Sequence, residues 1–258
     1  MNEIVTELTG SILRVELNRP TKRNAMTSSM YVTLANAFND AAKDERIRVV
    51  LWHGAGDSFC AGNDIDDFLK NPPGPGDSPQ ARLMNAFIEL DKPLVAAVQG
   101  AAIGGGTTML THCDFVYAGE SAKFQMPFIN LALVPEFGSS RSIPARIGHI
   151  RAAELILLGL PFDAKHAVDV GLVTQVVPDE NLLPAATETA HRLATKPAGA
   201  LQACKRLLKR PFREQIKAAM QAENEEFSAQ VRSADAKEAF TAFLEKRAPH
   251  FNSTATAA

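Results

Sequence analysis

The sequence predicts an α/β fold that ends in a helical segment. Three observations predict it. Short apolar runs alternate with segments of helical period along the first part of the chain, two glycine-rich turns follow apolar runs and lead into helices, and beyond Asp179 the pattern is almost wholly helical.

Residues 12–17 alternate apolar and polar side chains and are closed by Asn18-Arg19-Pro20, a strand running into a turn. Ser28 or Ser29 is placed to cap a helix whose apolar positions Tyr31, Leu34, Ala35, Phe38 and Ala42 recur at helical spacing. Residues 47–53 form an apolar strand stopped by Gly54-Ala55-Gly56. A helix over residues 80–90 leads through Lys92-Pro93 into a strand over 94–99, a glycine-rich passage and helix run to His112, and residues 114–118 are again strand-like. This rhythm predicts crossover connections between strands. Residues 71–77, with three prolines and two glycines, predict an exposed loop. Helices are expected over residues 180–194, 198–209, 214–229 and 234–247, before a frayed tail at 253–258. Their amphipathic faces suit either a neighbouring subunit or the chain's own core.

Composition narrows the function. The 258 residues are 46% hydrophobic and 22% charged, as in ordinary globular proteins. Twenty-seven basic residues against 29 acidic ones give a net charge of −2, so no general field draws the chain to nucleic acid or anionic lipid. No apolar run approaches the ~20 residues that cross a bilayer, and the N-terminal residues lack a basic segment followed by an apolar one, so the expected location is cytoplasmic. The cysteines Cys60, Cys113 and Cys204 are scattered, which predicts reduced thiols, and neither they nor the six histidines show metal-ligand spacing. No serine stands in a nucleophile-elbow motif.

Two segments offer chemistry because small residues sit between strand and helix: residues 58–68, with Ala61-Gly62-Asn63-Asp64, and residues 100–107, with Gly104-Gly105-Gly106. Such turns can aim backbone N–H groups into a cavity, and two together could hold an oxyanion. The glycines do not have the spacing of a dinucleotide fingerprint. Asp64, Asp66 and Asp67 stand where carboxylates cap a helix, and Asp114 where one would pin a strand end.

Taken in order, Asn18-Arg19-Pro20 with Asn24-Ala25-Met26, Phe59-Cys60-Ala61-Gly62-Asn63-Asp64, Lys92-Pro93, Ala96-Ala97-Val98, Gly100 with Gly104-Gly105-Gly106, Cys113-Asp114, and Gly171-Leu172-Val173 before Val176-Val177 resemble the crotonase (enoyl-CoA hydratase/isomerase) superfamily. The resemblance runs over residues 13–251. It implies a spiral of ββα units with a helical C-terminal region, assembly into homotrimers or dimers of trimers, an acyl-CoA substrate, and no cofactor beyond the CoA that the substrate carries. It also implies that the main-chain N–H groups of Asn63 and Gly105 hold the thioester oxygen. For CoA it implies backbone contacts from the turn bearing Arg23 and Ala25 and from Ala61, Asp64 and Ile65, with help from Phe243 and Lys246. A spiral core over residues 1–195 and a helical oligomerisation or lid region over 196–258 follow from the same resemblance.

Within the superfamily, hydratases carry two glutamates whose matching positions here are Thr108 and Phe128. Neither is a general base near neutral pH, although Thr108 could orient a water molecule. The stretch from Met126 to Leu131 with Val134-Pro135-Glu136-Phe137-Gly138-Ser139-Ser140 is similar to the peroxisomal-type Δ3,Δ2-enoyl-CoA isomerases, in which a glutamate matching Glu136 is the base. Local sequence alone favours reading Glu136 as a solvated loop acid or a cap for a helix starting near Ser139, and only the family resemblance turns it into the base. The resemblance therefore implies an isomerase moving the double bond of a 3-enoyl-CoA to position 2. A hydratase or other crotonase reaction, and a protein that only binds acyl-CoA or scaffolds a complex, are the alternatives.

Overall fold

The computed structural model describes residues 2–251 apart from residues 72, 73 and 75. The prolines of the loop expected over 71–77 and the tail expected at 253–258 lie outside the described residues. The main sheet begins with an antiparallel hairpin, β1 (Ile4–Thr9) and β2 (Ile12–Leu17), and continues in parallel through β3 (Val49–Gly54), β4 (Leu94–Val98), β6 (Phe115–Gly119) and β9 (Gln175–Val177). A smaller sheet holds β5 (Ala101–Ile103), β7 (Lys123–Gln125) and β8 (Phe162–Asp163). Twice the chain leaves the main sheet and enters the small one within a few residues, from β4 to β5 and from β6 to β7. After β3 it does the same in miniature, because Cys60 forms a lone parallel bridge with Ala102 of β5. Strand, short strand, helix is therefore the repeating unit, in the mixed α/β architecture that the sequence leads one to expect.

The period of two along the strands divides the apolar residues between two layers. Val15, Leu17, Val50, Trp52, Ala96 and Val98 face the larger core, which includes α1 (Ser28–Lys43) and α3 (Pro79–Glu89). Ile12, Val49, Leu51, Val95 and Ala97 face Leu182, Ala186 and Ala190 of α8 (Leu182–Ala194). Trp52 anchors the larger core, with Phe59 at 4.9 Å, Phe87 at 5.6 Å and Phe38 at 6.0 Å between ring centroids. Each such ring withdraws enough apolar surface to contribute about 1.5–3 kcal/mol.

Local chemistry sets the helix ends. Thr27, one residue before the expected caps, closes the start of α1 by accepting from the Met30 N–H. Ser28 instead donates its N–H and hydroxyl to Asp67, both at 2.7 Å. The C-terminus of α1 receives the buried Lys92 ammonium, which donates to the carbonyls of Ala41 and Asp44 at 2.6 and 2.7 Å. The end of α3 receives Lys209 in the same way, at Phe87, Ile88 and Leu90. Lys209 lies on α9 (Ala198–Lys209), the first of three late helices followed by α10 (Arg213–Gln230) and α11 (Ala234–Leu244). These helices pack back on the chain's own core. Phe227 of α10 and Phe240 of α11 meet Phe68 at 6.0 and 5.5 Å. Helix α11 stops at Leu244, short of the expected residue 247, and Lys246 takes a left-handed conformation with φ 55°.

Asp114 does pin a strand end. One oxygen accepts from the Leu94 N–H and from the buried Lys205 ammonium, each at 2.7 Å. Cys60 and Cys113 are buried thiols and Cys204 is exposed. Among the described residues no helix is long and apolar enough to cross a membrane. Removing the half-exposed Asp114 carboxylate leaves the buried Lys205 ammonium without its counter-charge, so Asp114→Ala is expected to lose about 2 kcal/mol, less than for a fully buried pair. Urea unfolding should show this as a lower midpoint at unchanged slope.

Candidate active site

Backbone pairing brings the two glycine-rich turns side by side. Phe59 and Cys60 donate their N–H groups to the carbonyls of Gln99 and Ala101, and Ile103 donates back to Cys60, at 2.8 to 2.9 Å. The first turn then bends at Gly62, whose φ of +88° suits glycine, and a Cβ there would lie 2.9 Å from the Ile103 carbonyl oxygen. Beyond the bend, Met26 donates to Gly62 and Asp64 donates to Met26, at 2.7 and 2.9 Å. That ladder skips Asn63. In the second turn Gly104 donates to Gln125 at 2.8 Å, and Gly105 opens the short helix α4 (Gly105–Thr108), where no preceding carbonyl of the helix can serve its N–H. Among the described residues neither the Asn63 nor the Gly105 N–H has a protein acceptor.

Both residues line a cavity of about 500 Å³. Its walls are mostly apolar, with Ile65 and Phe68 from α2 (Ile65–Lys70), Phe128, Leu131 and Leu133 from the segment after β7, and Phe227, Phe240 and Phe243 from the late helices. Among the described residues lining it, Glu136 is the only carboxylate. Its side chain lies over the second turn, since a Cβ placed on Gly105 would stand 3.0 Å from Glu136 Oε1. Glu136 is 8% exposed, and no described residue donates a hydrogen bond to its carboxylate. Burial, assisted by the nearby Glu223 carboxylate, pushes its pKa up to about 8.

The turn bearing Glu136 is held from two sides. Phe137 has φ 61° and Gly138 φ 68°. The His112 ring meets the Phe137 carbonyl at 2.8 Å through Nε2 and stacks on Phe87; burial lowers its pKa to about 4, so it is neutral and its Nε2–H donates. On the other side Glu223 of α10 accepts from the N–H groups of Gly138 and Ser140, both at 2.7 Å, at the start of α5 (Ser139–Ile147). The capping carboxylate of this helix is thus Glu223, and the reading of Glu136 as a cap or a solvated loop acid is set aside.

Of the residues singled out in the sequence, Glu136, Asn63, Gly105, Arg23, Ala61, Ile65 and Phe243 line this one cavity. Ala25, Asp64 and Lys246 do not. The Asp64 carboxylate caps α2 through the Asp67 N–H and pairs with Arg19 at 2.7 Å, while the Ala25 carbonyl accepts from the Arg19 guanidinium. Lys246 is exposed, and its left-handed turn brings Arg247 to the cavity wall instead. Thr108 is also withdrawn: it is buried and donates its hydroxyl to the Gly104 carbonyl, so it does not offer a seat for water. Phe128 does reach the cavity, as an apolar wall.

Sequence reasoning missed Tyr31, Glu223, Phe227, Phe240 and Arg247. Tyr31 is fully buried and donates to Asn63 Oδ1 at 2.8 Å. Burial first, then the repulsion that an ionised Glu136 or Cys60 would exert, raise its pKa well above the usual tyrosine range, so it remains a neutral donor. It was visible in the sequence only as one apolar position of α1. Among the described residues no group of acids, cysteines and histidines is arranged to hold a metal ion.

The chain matches known proteins over nearly its whole length. The profile of the family described as enoyl-CoA hydratase/isomerase matches residues 7–254. The chain is 34% identical to the 1,2-epoxyphenylacetyl-CoA isomerase of Escherichia coli K12, over 97% of this chain and 98% of that protein. It is 34% identical to enoyl-CoA delta isomerase 2 of Rattus norvegicus, over 81% of this chain and 55% of that longer protein. Hydratases also stand among the relatives. The crystal structure of an enoyl-CoA hydratase/isomerase from Pseudoalteromonas atlantica T6c superposes with a TM-score of 0.92 at 40% identity, covering 97% of this chain and all of that one.

The Glu136 carboxyl has a stability consequence whose sign is fixed. Its native pKa of about 8 lies above the ordinary 4.5, so between these values the folded state holds the proton more tightly than the unfolded state. Stability contributed by the protonated group is complete below pH 4.5 and is lost as pH rises through about 8. Glu136→Gln should therefore be more stable than the parent at pH 9, by roughly 2–4 kcal/mol in urea unfolding, with the difference shrinking as pH falls and gone below pH 4.5.

Proposed function

This chain belongs to the enoyl-CoA hydratase/isomerase (crotonase) family, whose members act on acyl-CoA thioesters, and from that premise we propose that it is an isomerase moving the double bond of a 3-enoyl-CoA to position 2. One observation carries this reading: the cavity wall among the described residues offers a single, buried carboxylate, Glu136, beside two unengaged main-chain N–H groups.

A 1,3 proton shift needs that set and no second acid. Ionised Glu136 removes the proton from the carbon between the thioester and the double bond. The electron pair spreads over the carbonyl oxygen and the three-carbon system, and the Asn63 and Gly105 N–H groups donate to that oxygen as charge develops. Glu136, now protonated, returns the same proton to the far carbon of the system. The substrate supplies CoA and the proton balance closes within the site, so no cofactor is required. A pKa near 8 suits this exchange, because the base must bind the proton firmly and still release it. Hydration would demand a carboxylate to activate water, and the positions that match the hydratase glutamates hold Thr108, which is turned away, and Phe128. Among the described residues of the cavity wall, Arg23 and Arg247 are the cations and the groups suited to CoA phosphates. The resemblance to trimeric crotonases carries assembly into a homotrimer or dimer of trimers as part of the same proposal.

Assays of 3-enoyl-CoA isomerisation beside 2-enoyl-CoA hydration test the assignment. Isomerisation should dominate, with kcat/KM rising about tenfold per pH unit until it levels near pH 8. Glu136→Gln should lower it by about 10²-fold or more while acyl-CoA still binds. Hydration as the faster reaction would assign the chain to the hydratases. Acyl-CoA binding without exchange of α protons into heavy water would make it a binding protein.

A further inference from the structure

Helix α10 presents four residues on one face at helical spacing, Ile216, Met220, Glu223 and Phe227. A Cβ on Gly138 would lie 2.8 Å from the Ile216 methyl and 3.4 Å from Met220, so the helix sits directly on the turn that carries Glu136. One turn further along α10, Glu223 is 5% exposed and divides its two oxygens between the Gly138 and Ser140 N–H groups. Phe227, the next residue on this face, lines the cavity. Glu223 itself does not line it.

We propose that Glu223 is a positioning residue for the proton-transferring carboxyl, fixing the left-handed turn at Phe137 and Gly138 and setting a second negative charge behind Glu136. This rests on the role given above to Glu136. The geometry carries two effects. A bidentate grip on alternate N–H groups holds two successive residues at positive φ, a conformation disfavoured for Phe137. An ionised Glu223 also opposes ionisation of its neighbour, in the same direction as burial; burial raises the pKa of Glu223 itself, and the hydrogen bonds from Ser140 and Gly138 act against that and favour its charged form. Other groups facing Glu136 do not replace it: Tyr31 of α1 and the Cys60 thiol are neutral donors, His112 grips the turn uncharged, and Arg23 and Arg247 belong to the cavity wall. A helix N-terminus left uncapped would favour ionisation of Glu136 and weaken it as a base.

The test is titration of Glu136 by 13C NMR of labelled carboxyls, with the Glu136 signal identified by its loss in Glu136→Gln. Glu223→Gln keeps the shape, removes the charge and leaves an NH2 group facing one of the two N–H donors. The Glu136 titration should move down by about one pH unit, and kcat/KM at pH 9 should fall roughly three- to tenfold. Glu223→Asp keeps the charge on a shorter arm, so the titration should stay within a few tenths of a unit while kcat/KM falls. Met220→Ala loosens the same helix and should lower the unfolding temperature without moving the titration. A Glu223→Gln protein with an unmoved titration overturns the proposal, as does Glu223→Asp at full rate should the Gln variant not fold. Because the NMR readout does not depend on the reaction, a protein without isomerase activity whose Glu136 titration still shifts in Glu223→Gln would remove the proposed function and leave this inference standing.

Discussion

Withdrawing a carboxyl group from water without giving it a hydrogen-bond donor is the constraint on which the site depends. A buried acid of this kind resists ionisation, and the resistance makes it a base of useful strength near neutral pH. Keeping it there requires the surrounding fold to be rigid, since a mobile turn would let Glu136 swing to solvent. Rigidity comes from opposed grips: His112 holds the Phe137 carbonyl, Glu223 holds the N–H groups that follow, and the side chains of α10 close over Gly138. The destabilisation stored in the carboxyl is thus offset by packing elsewhere in the molecule.

The opposite wall works by a different principle. Its donors belong to the main chain, so their placement follows from sheet geometry rather than from side-chain identity. The pairing of residues 59–60 with 99–103 fixes the separation of the two turns, and the ladder from Met26 passes over Asn63. The side chain at that position has its own restraint, because the Tyr31 hydroxyl ties Asn63 to the buried face of α1. A donor set built in this way is in place before any ligand arrives, which is the condition for electrostatic stabilisation without reorganisation.

What the sequence made legible follows the range of the interactions involved. Strands buried on both faces, such as β3 and β4, announce themselves as apolar runs, and the glycine turns are visible because nothing else fits them. Strand β1 leaves no such mark, since only Ile4 among its six residues is buried and no alternation results. The α1 cap falls on Thr27 and not on the serines because three adjacent hydroxyl side chains compete, and Asp67, distant in sequence, claims Ser28. Glu136 is legible through family resemblance, whereas its environment depends on Tyr31 and Glu223, which lie about a hundred residues to either side. No local pattern connects partners so far apart; Glu223 reads in isolation as one more acid on an amphipathic helix.

Helix α10 has a further implication for how such a protein could diversify. The same rod that seats the turn beneath Glu136 also supplies Phe227 to the chamber. Any remodelling of the chamber to admit a bulkier guest by shifting this rod would drag the reactive carboxyl with it. Changes confined to α2 or α11 escape that linkage, so adaptation to new guests should accumulate on those two helices and spare the inner face of α10.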